Sequence, residues 1–215
     1  MNFKTPWPVP FVLDPYHLAI DSTIAFIVSA LLAIMIHAEG QAWMSTMLGD
    51  IRVEAKDRFH FNAFFHLSIA GSICYLVAGF GWPKHLDIDP GKFKYPRLFL
   101  IISRLAGPVA NLILAGVAAS FIFFIEFLDM EPLVFIMVAA VNVTTAVYHL
   151  IPIPPLVAST LITVWIPEES LLRKVLFFGG PFVIVGIFLY ERITGVGLLS
   201  PHLNPLVRQI LGYFV

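Results

Sequence analysis

The sequence has few charged residues and only one cysteine. Asp, Glu, Lys and Arg make up 13% of its 215 residues, whereas 59% are hydrophobic and the mean hydropathy is +0.87. A soluble domain of this length cannot bury so much apolar surface, so the composition predicts an integral membrane protein. The net charge of −1, without a basic cluster, argues against a nucleic-acid partner. Cys74 has no partner for an internal disulfide and indicates nothing about redox compartment.

No sequence feature divides the chain into separate domains, and we find no internal repeat. The first 21 residues carry four prolines and lack a basic region followed by an apolar core, so we do not expect a cleavable signal. We predict one integral membrane domain over residues 1–215. It comprises an N-terminal interfacial arm at 1–21, a transmembrane core at 22–190 and a C-terminal interfacial tail at 191–215.

Long apolar segments predict an all-α, polytopic transmembrane protein with about five spans. At about 1.5 Å per residue, segments of this length can cross a bilayer. The predicted spans are 22–48, 63–81, 98–125, 133–151 and 171–190, and the apolar piece at 156–166 is too short to cross alone.

The distribution of basic residues predicts an orientation. The loop at 82–97 carries more basic than acidic residues, whereas the turn at 126–131 carries only acids. If 22–48 and 63–81 both cross, the loop lies on the same side as the N-terminus, and the bias of Lys and Arg puts both in the cytoplasm. The expected location is the bacterial inner membrane.

A histidine box late in the first apolar segment is a remnant of the zinc motif H-E-x-x-H. In that motif two histidines four residues apart share a helix face, and the glutamate acts as general base. His37 is present here, but Ala38 occupies the position of the base and Gln41 that of the second ligand. Glu39 cannot replace the base, because at about 100° per residue it lies roughly 200° around the helix from His37.

Five blocks, which occur in family order, resemble the site-2 protease family of intramembrane zinc metalloproteases in its short form without a PDZ insert. They are His37-Ala38-Glu39-Gly40-Gln41 with Leu48-Gly49-Asp50; Arg58-x-His60-x-Asn62; Phe80-Gly81-Trp82; Ala106-Gly107-Pro108-x-x-Asn111; and Asn142 followed by Tyr148-His149-Leu150-Ile151-Pro152-Ile153-Pro154-Pro155-Leu156. The family's third zinc ligand follows Pro-Pro-Leu as Asp-Gly. Here that pair is Val157-Ala158.

The resemblance implies a vestigial cleft without its catalytic and zinc-binding residues. Its members would be His37, Glu39, Gln41, Asn111, Asn142, His149 and Val157. We expect His37 to be a hydrogen-bonded core histidine, with Gln41 or His149 as partner, although a His37–His149 pair completed by His60 or His66 could hold a metal. The two asparagines are expected to join helices, and Arg104 is expected to extend to the head groups. We assign no catalytic residue, metal ligand or cofactor.

Three functions remain open. The missing ligands favour a pseudoprotease that serves as a structural, assembly or accessory subunit of a larger membrane complex. The alternatives are a zinc-dependent intramembrane protease with a rebuilt ligand set, and a small transporter or channel, although the spans contain few ionisable residues for transport. The expected partners are other integral membrane proteins and the lipid bilayer. Small residues suited to close helix packing against a partner are Gly71, Gly107, Ala115, Gly116 and Ala119.

Overall fold

The computed structural model describes residues 8–52 and 59–214, which form seven α-helices and no β-strand. The helices are α1 (Ile20–Met47), α2 (Ile69–Ala78), α3 (Pro96–Phe127), α4 (Leu133–Tyr148), α5 (Thr160–Thr163), α6 (Leu171–Thr194) and α7 (Ser200–Phe214). Short 3₁₀ turns occur at Ala63–His66, Pro90–Lys92 and Val157–Ser159. The predicted all-helical membrane protein is confirmed.

Among the described residues, three helices are long and apolar enough to cross a membrane: α1, α3 and α6. At about 1.5 Å per residue, the 28 residues of α1 extend about 42 Å, more than the hydrocarbon thickness of a bilayer. Pro96 opens α3 at a position where its missing N–H needs no partner, and Ser170 caps the start of α6. These helices correspond to the predicted spans at 22–48, 98–125 and 171–190.

The predicted full span at 63–81 is wrong. The helix in this segment, α2, has only 10 residues and extends about 15 Å, half of the hydrocarbon thickness. The Ser68 side chain caps its start by accepting from the backbone N–H of Gly71, and Gly79 ends it in the left-handed conformation at φ 76°. The cap and the terminating glycine, rather than the apolar composition, set its length.

The predicted fourth span is shorter than expected and lies at the centre of the bundle. α4 ends at Tyr148, has 16 residues, and is buried at every position from Ile136 onward. It packs against α1, α3 and α7. Protein therefore surrounds most of α4, and such a helix need not cross the whole bilayer. The piece predicted at 156–166 as non-spanning is a 3₁₀ turn followed by the four-residue α5.

α1 and α3 run antiparallel at a close approach. A Cβ atom added to Gly40 of α1 would stand 2.7 Å from the Cβ of Ala110 and 2.9 Å from the carbonyl oxygen of Ala106, both on α3. Only a glycine at position 40 permits this separation. The close approach brings the His37 ring of α1 against the backbone of α3 at Gly107.

The segment that follows α2 runs back along α1. It starts at Gly79, which packs against Phe11 of the N-terminal arm, and it reaches Asp89, whose backbone N–H donates to Asp50 Oδ2 over 3.0 Å. Asp50 lies just beyond the C-terminal end of α1. The loop at 82–97 therefore ends on the side of the bundle opposite the N-terminal arm. The prediction that loop and N-terminus share a side is wrong because it assumed that 63–81 crosses.

Candidate functional site

The His37 side chain is fully buried and both of its ring nitrogens have protein partners. Its Nδ1 lies 2.7 Å from Asn111 Oδ1, and its Nε2 lies 2.9 Å from Gln41 Nε2. Because an amide nitrogen can only donate, Nε2 accepts from Gln41. Nδ1 therefore carries the ring proton and donates it to Asn111.

The hydrogen bonds continue from Asn111 into the centre of the bundle. Asn111 Nδ2 donates to Asn142 Oδ1 over 2.8 Å and to the carbonyl of Ala33 over 3.0 Å. Asn142 Nδ2 donates in turn to the carbonyl of Val138, one turn earlier in α4. Both asparagines are fully buried, and their amides join α3 to α1 and α4.

Arg104 continues the same chain of hydrogen bonds at its other end. Its Nη1 donates to Gln41 Oε1 over 2.9 Å, and its Nη2 donates to His85 Nε2 over 2.9 Å and to the Leu86 carbonyl over 2.8 Å. Arg104 is only 8% exposed, so the prediction that it extends to the head groups is wrong. The loop that returns along α1 supplies acceptors for the guanidinium inside the protein, as a buried charge requires.

His149 faces His37 across the cleft, with ring centres 4.2 Å apart. Its Nε2 donates to the carbonyl of Gly81 over 3.2 Å, and its Nδ1 accepts from the backbone N–H of Val157 over 3.4 Å. Val157, at the position of the family's third ligand, is buried and contributes a backbone donor and an apolar side chain. The structure thus brings together six of the seven predicted cleft residues.

These residues do not fit a zinc ion. The cleft offers two histidines, and zinc takes at least three protein ligands. Across the described residues, no group of three His, Cys, Asp or Glu side chains is arranged to hold a metal. His60 and His66, considered as further ligands, lie elsewhere and contact Glu39.

Glu39 is the predicted cleft residue that lies apart from the others. Its Oε1 accepts from the backbone N–H groups of His60 and Phe61, each over 2.9 Å, and lies 3.2 Å from His66 Nε2. Phe61 has a left-handed backbone at φ 43°, which aims two successive N–H groups at one oxygen. Glu39 therefore fixes the turn at 59–66 to the far face of α1.

A polar cavity of about 150 Å³ lies above His37, large enough to hold water. Its lining extends from His37 and His149 to the charged side chains of Lys84, Glu168 and Arg173. Two lining residues, His85 and Arg104, were missed as site residues. The signal for Arg104 was an ionisable residue inside an apolar span, which usually marks a function or a buried partner.

Three of the small residues proposed for partner packing make contacts within the chain. A Cβ on Gly107 would stand 2.4 Å from His37 Nε2, and one on Gly71 would stand 2.2 Å from the Trp82 carbonyl oxygen. Ala115 is fully buried. Ala119 is partly exposed, and so is Gly116, although Phe214 of α7 lies near it.

Comparisons with known proteins support a site-2-protease-like relationship. The chain is 28% identical over 216 positions to a Bacillus subtilis (strain 168) protein named Putative zinc metalloprotease YwhC. The match covers 95% of this chain and 93% of that protein. No protein-family model and no solved structure matches the chain.

Proposed function

We propose that this chain is a catalytically inactive relative of the site-2 proteases and serves as a structural, assembly or accessory subunit of a larger membrane complex. The observation that carries this proposal is the engagement of both His37 ring nitrogens. A zinc ligand needs a free lone pair, and the amide of Gln41 donates to the one on Nε2. Gln41, at the position of the second ligand, thus occupies the lone pair with which His37 would bind zinc.

The replacement of the zinc site leaves the polar side chains between Arg104 and Asn142 joined by hydrogen bonds. Hydrogen bonds run in one donor direction from Arg104 through Gln41, His37 and Asn111 to Asn142. A fully connected buried network rigidifies a core, whereas a half-satisfied one is costly. The fold can therefore persist without an ion at this place.

The position of the general base supports the same conclusion. Ala38 is 1% exposed and carries no group that can accept a proton from water. In a protein of this kind the polar cavity and the apolar helix faces are left for binding. Within a bilayer such binding rests on helix packing and hydrogen bonds, and the occupant we propose is another integral membrane protein.

The test is isolation of the intact chain from its native membrane in mild detergent. We expect a stoichiometric integral membrane partner whose size is the same in cells with the wild-type chain and with His149→Phe. The substitution removes both ring nitrogens of His149 and keeps an aromatic, slightly larger ring in the cleft. His202→Phe, at an exposed position, is the matched control. A chain that elutes alone, or a partner that is cleaved only with the wild-type chain, would overturn the proposal.

A further inference from the structure

A second pocket, of about 410 Å³, lies where the N-terminal arm and the ends of α2 and α6 meet α7. It shares no lining residue with the cavity above His37. The 24 residues of α6 extend about 36 Å, more than the hydrocarbon thickness of a bilayer, and Glu191 and Arg192 lie near the end of this helix. The pocket therefore lies at about the depth of the lipid head groups.

Three charged side chains line this pocket: Glu191, Arg192 and Arg208. The Glu191 carboxylate accepts from the backbone N–H groups of Leu198 and Ser200 and from the Ser200 hydroxyl. It thereby stabilises the start of α7, where a helix carries partial positive charge. The two guanidiniums outnumber the one carboxylate, so the lining has a net positive charge.

The two arginines differ in their partners. Arg192 donates to one backbone carbonyl of α2 and to one of the N-terminal arm, which fixes the guanidinium at the pocket without neutralising it. Arg208 forms no hydrogen bond or ion pair with a described residue, so its donors are available. Asn204, one turn earlier on α7, accepts from Tyr148 Oη over 2.6 Å, and its amide nitrogen contacts no described acceptor. The pocket thus presents donors and positive charge to an occupant.

The rest of the lining is mostly apolar. Val9, Ala78 and Phe188 are buried and line the pocket beside the polar groups. Because α2 ends at the pocket, its exposed residues Ile73 and Leu76 lie deeper in the bilayer. This arrangement suits an occupant whose anionic head contacts the guanidiniums and whose hydrocarbon chain runs along α2. A free anion would use only the polar part of the pocket.

We propose that this pocket binds the head group of an anionic phospholipid. Arg208 and Arg192 bind the phosphate oxygens, because guanidinium N–H groups match the geometry of phosphate and stay charged at physiological pH. Asn204 donates to a further head-group oxygen, and an acyl chain packs along α2. The site uses no residue of the vestigial cleft and does not depend on the proposed pseudoprotease function.

The test is native mass spectrometry of the delipidated full chain in detergent with added phosphatidylglycerol. We expect one saturable lipid for the wild-type chain. Arg208→Gln removes the guanidinium charge and should weaken binding by about 10-fold or more. Lys174→Gln removes the same charge from an exposed position near the start of α6, far from the pocket, and should bind as wild type. Phosphatidylcholine with the same acyl chains should bind more weakly than phosphatidylglycerol, because its choline cation offsets the phosphate charge.

The thermal midpoint in detergent gives a second readout. Short-chain phosphatidylglycerol should raise the midpoint of the wild type, and inorganic phosphate at the same concentration should not. Arg208→Lys keeps the charge and should bind more lipid than Arg208→Gln, which separates phosphate binding from a structural role of the side chain. Equal binding by the wild type and Arg208→Gln, or equal binding of the two lipids, would overturn the proposal. An equal effect of inorganic phosphate would show a site for free anions and would also overturn it.

Discussion

At the scale of single residues, Arg104 decides how the polar groups of the cleft are oriented. Because its guanidinium can only donate, the atom of Gln41 that faces it must be the amide oxygen. The amide nitrogen then faces His37, which fixes the tautomer of the ring. Arg104 on α3 therefore sets the direction of a series of hydrogen bonds that ends at Asn142 on α4.

His85 makes the outer end of this network sensitive to pH. The pKa of His85 lies well below its usual value near 6.5. The main cause is desolvation of the ring, and the positive charges of Arg104 and Arg173 lower it further. The residue is also partly open to solvent, so water screens part of this effect. In the folded protein His85 is therefore neutral at pH 7 and accepts from Arg104.

We expect acid to lower the stability that this contact contributes. Between the lowered pKa and about 6.5, the unfolded chain binds more protons at His85 than the folded chain. The stability contributed by neutral His85 is thus complete above about 6.5 and is lost as the pH falls toward the lowered pKa. In detergent, the thermal midpoint of the wild type should fall more between pH 7 and pH 5 than that of His85→Gln, whose amide accepts from Arg104 at either pH. Equal decreases in the thermal midpoints of the wild type and His85→Gln would contradict this account.

At the scale of secondary-structure elements, the contact between α1 and α3 depends on glycine. Gly107→Ala places a Cβ atom 2.4 Å from His37 Nε2, so either the ring or the helix must move. We expect a loss of about 1–3 kcal/mol of stability from overpacking, seen as a lower thermal midpoint in detergent. Gly186→Ala in α6 is the matched control, because a Cβ there meets no atom within 4 Å. If Gly107→Ala left the thermal midpoint unchanged, α1 and α3 would be able to move apart without loss of stability.

The elements that the sequence predicted well are those set by long apolar runs, namely α1, α3 and α6. The helix spacing of His37 and Gln41 likewise predicted their hydrogen bond, since residues four apart share a face. Hydropathy could not predict the length of α2, which depends on a serine cap and a left-handed glycine. It also could not place His85 beside Arg104, because that contact requires the loop after α2 to return along α1.

At the scale of the whole molecule, basic residues concentrate at one end of the bundle. Near the C-terminal end of α1 the described basic residues are Arg52, Lys92, Lys94, Arg97, Arg173 and Lys174, and near its N-terminal end they are Arg192 and Arg208. Lys92 marks the first end, because its carbonyl oxygen would lie 3.1 Å from a Cβ on Gly49. Arg192 marks the other by donating to the Leu13 carbonyl.

We propose that the protein lies in the bacterial inner membrane. The distribution of basic residues predicts its orientation there. Loops rich in Lys and Arg remain in the cytoplasm, so the end that carries Lys92 should be cytoplasmic and the N-terminal arm should lie outside.

The test uses single cysteines at Lys92 and at Tyr16, which is 89% exposed. The native Cys74 is fully buried and should give no background. An impermeant maleimide should label Tyr16→Cys in intact spheroplasts and Lys92→Cys only after permeabilisation. The reverse pattern would invert the orientation, and equal labelling before permeabilisation would contradict the placement of the two residues at opposite ends.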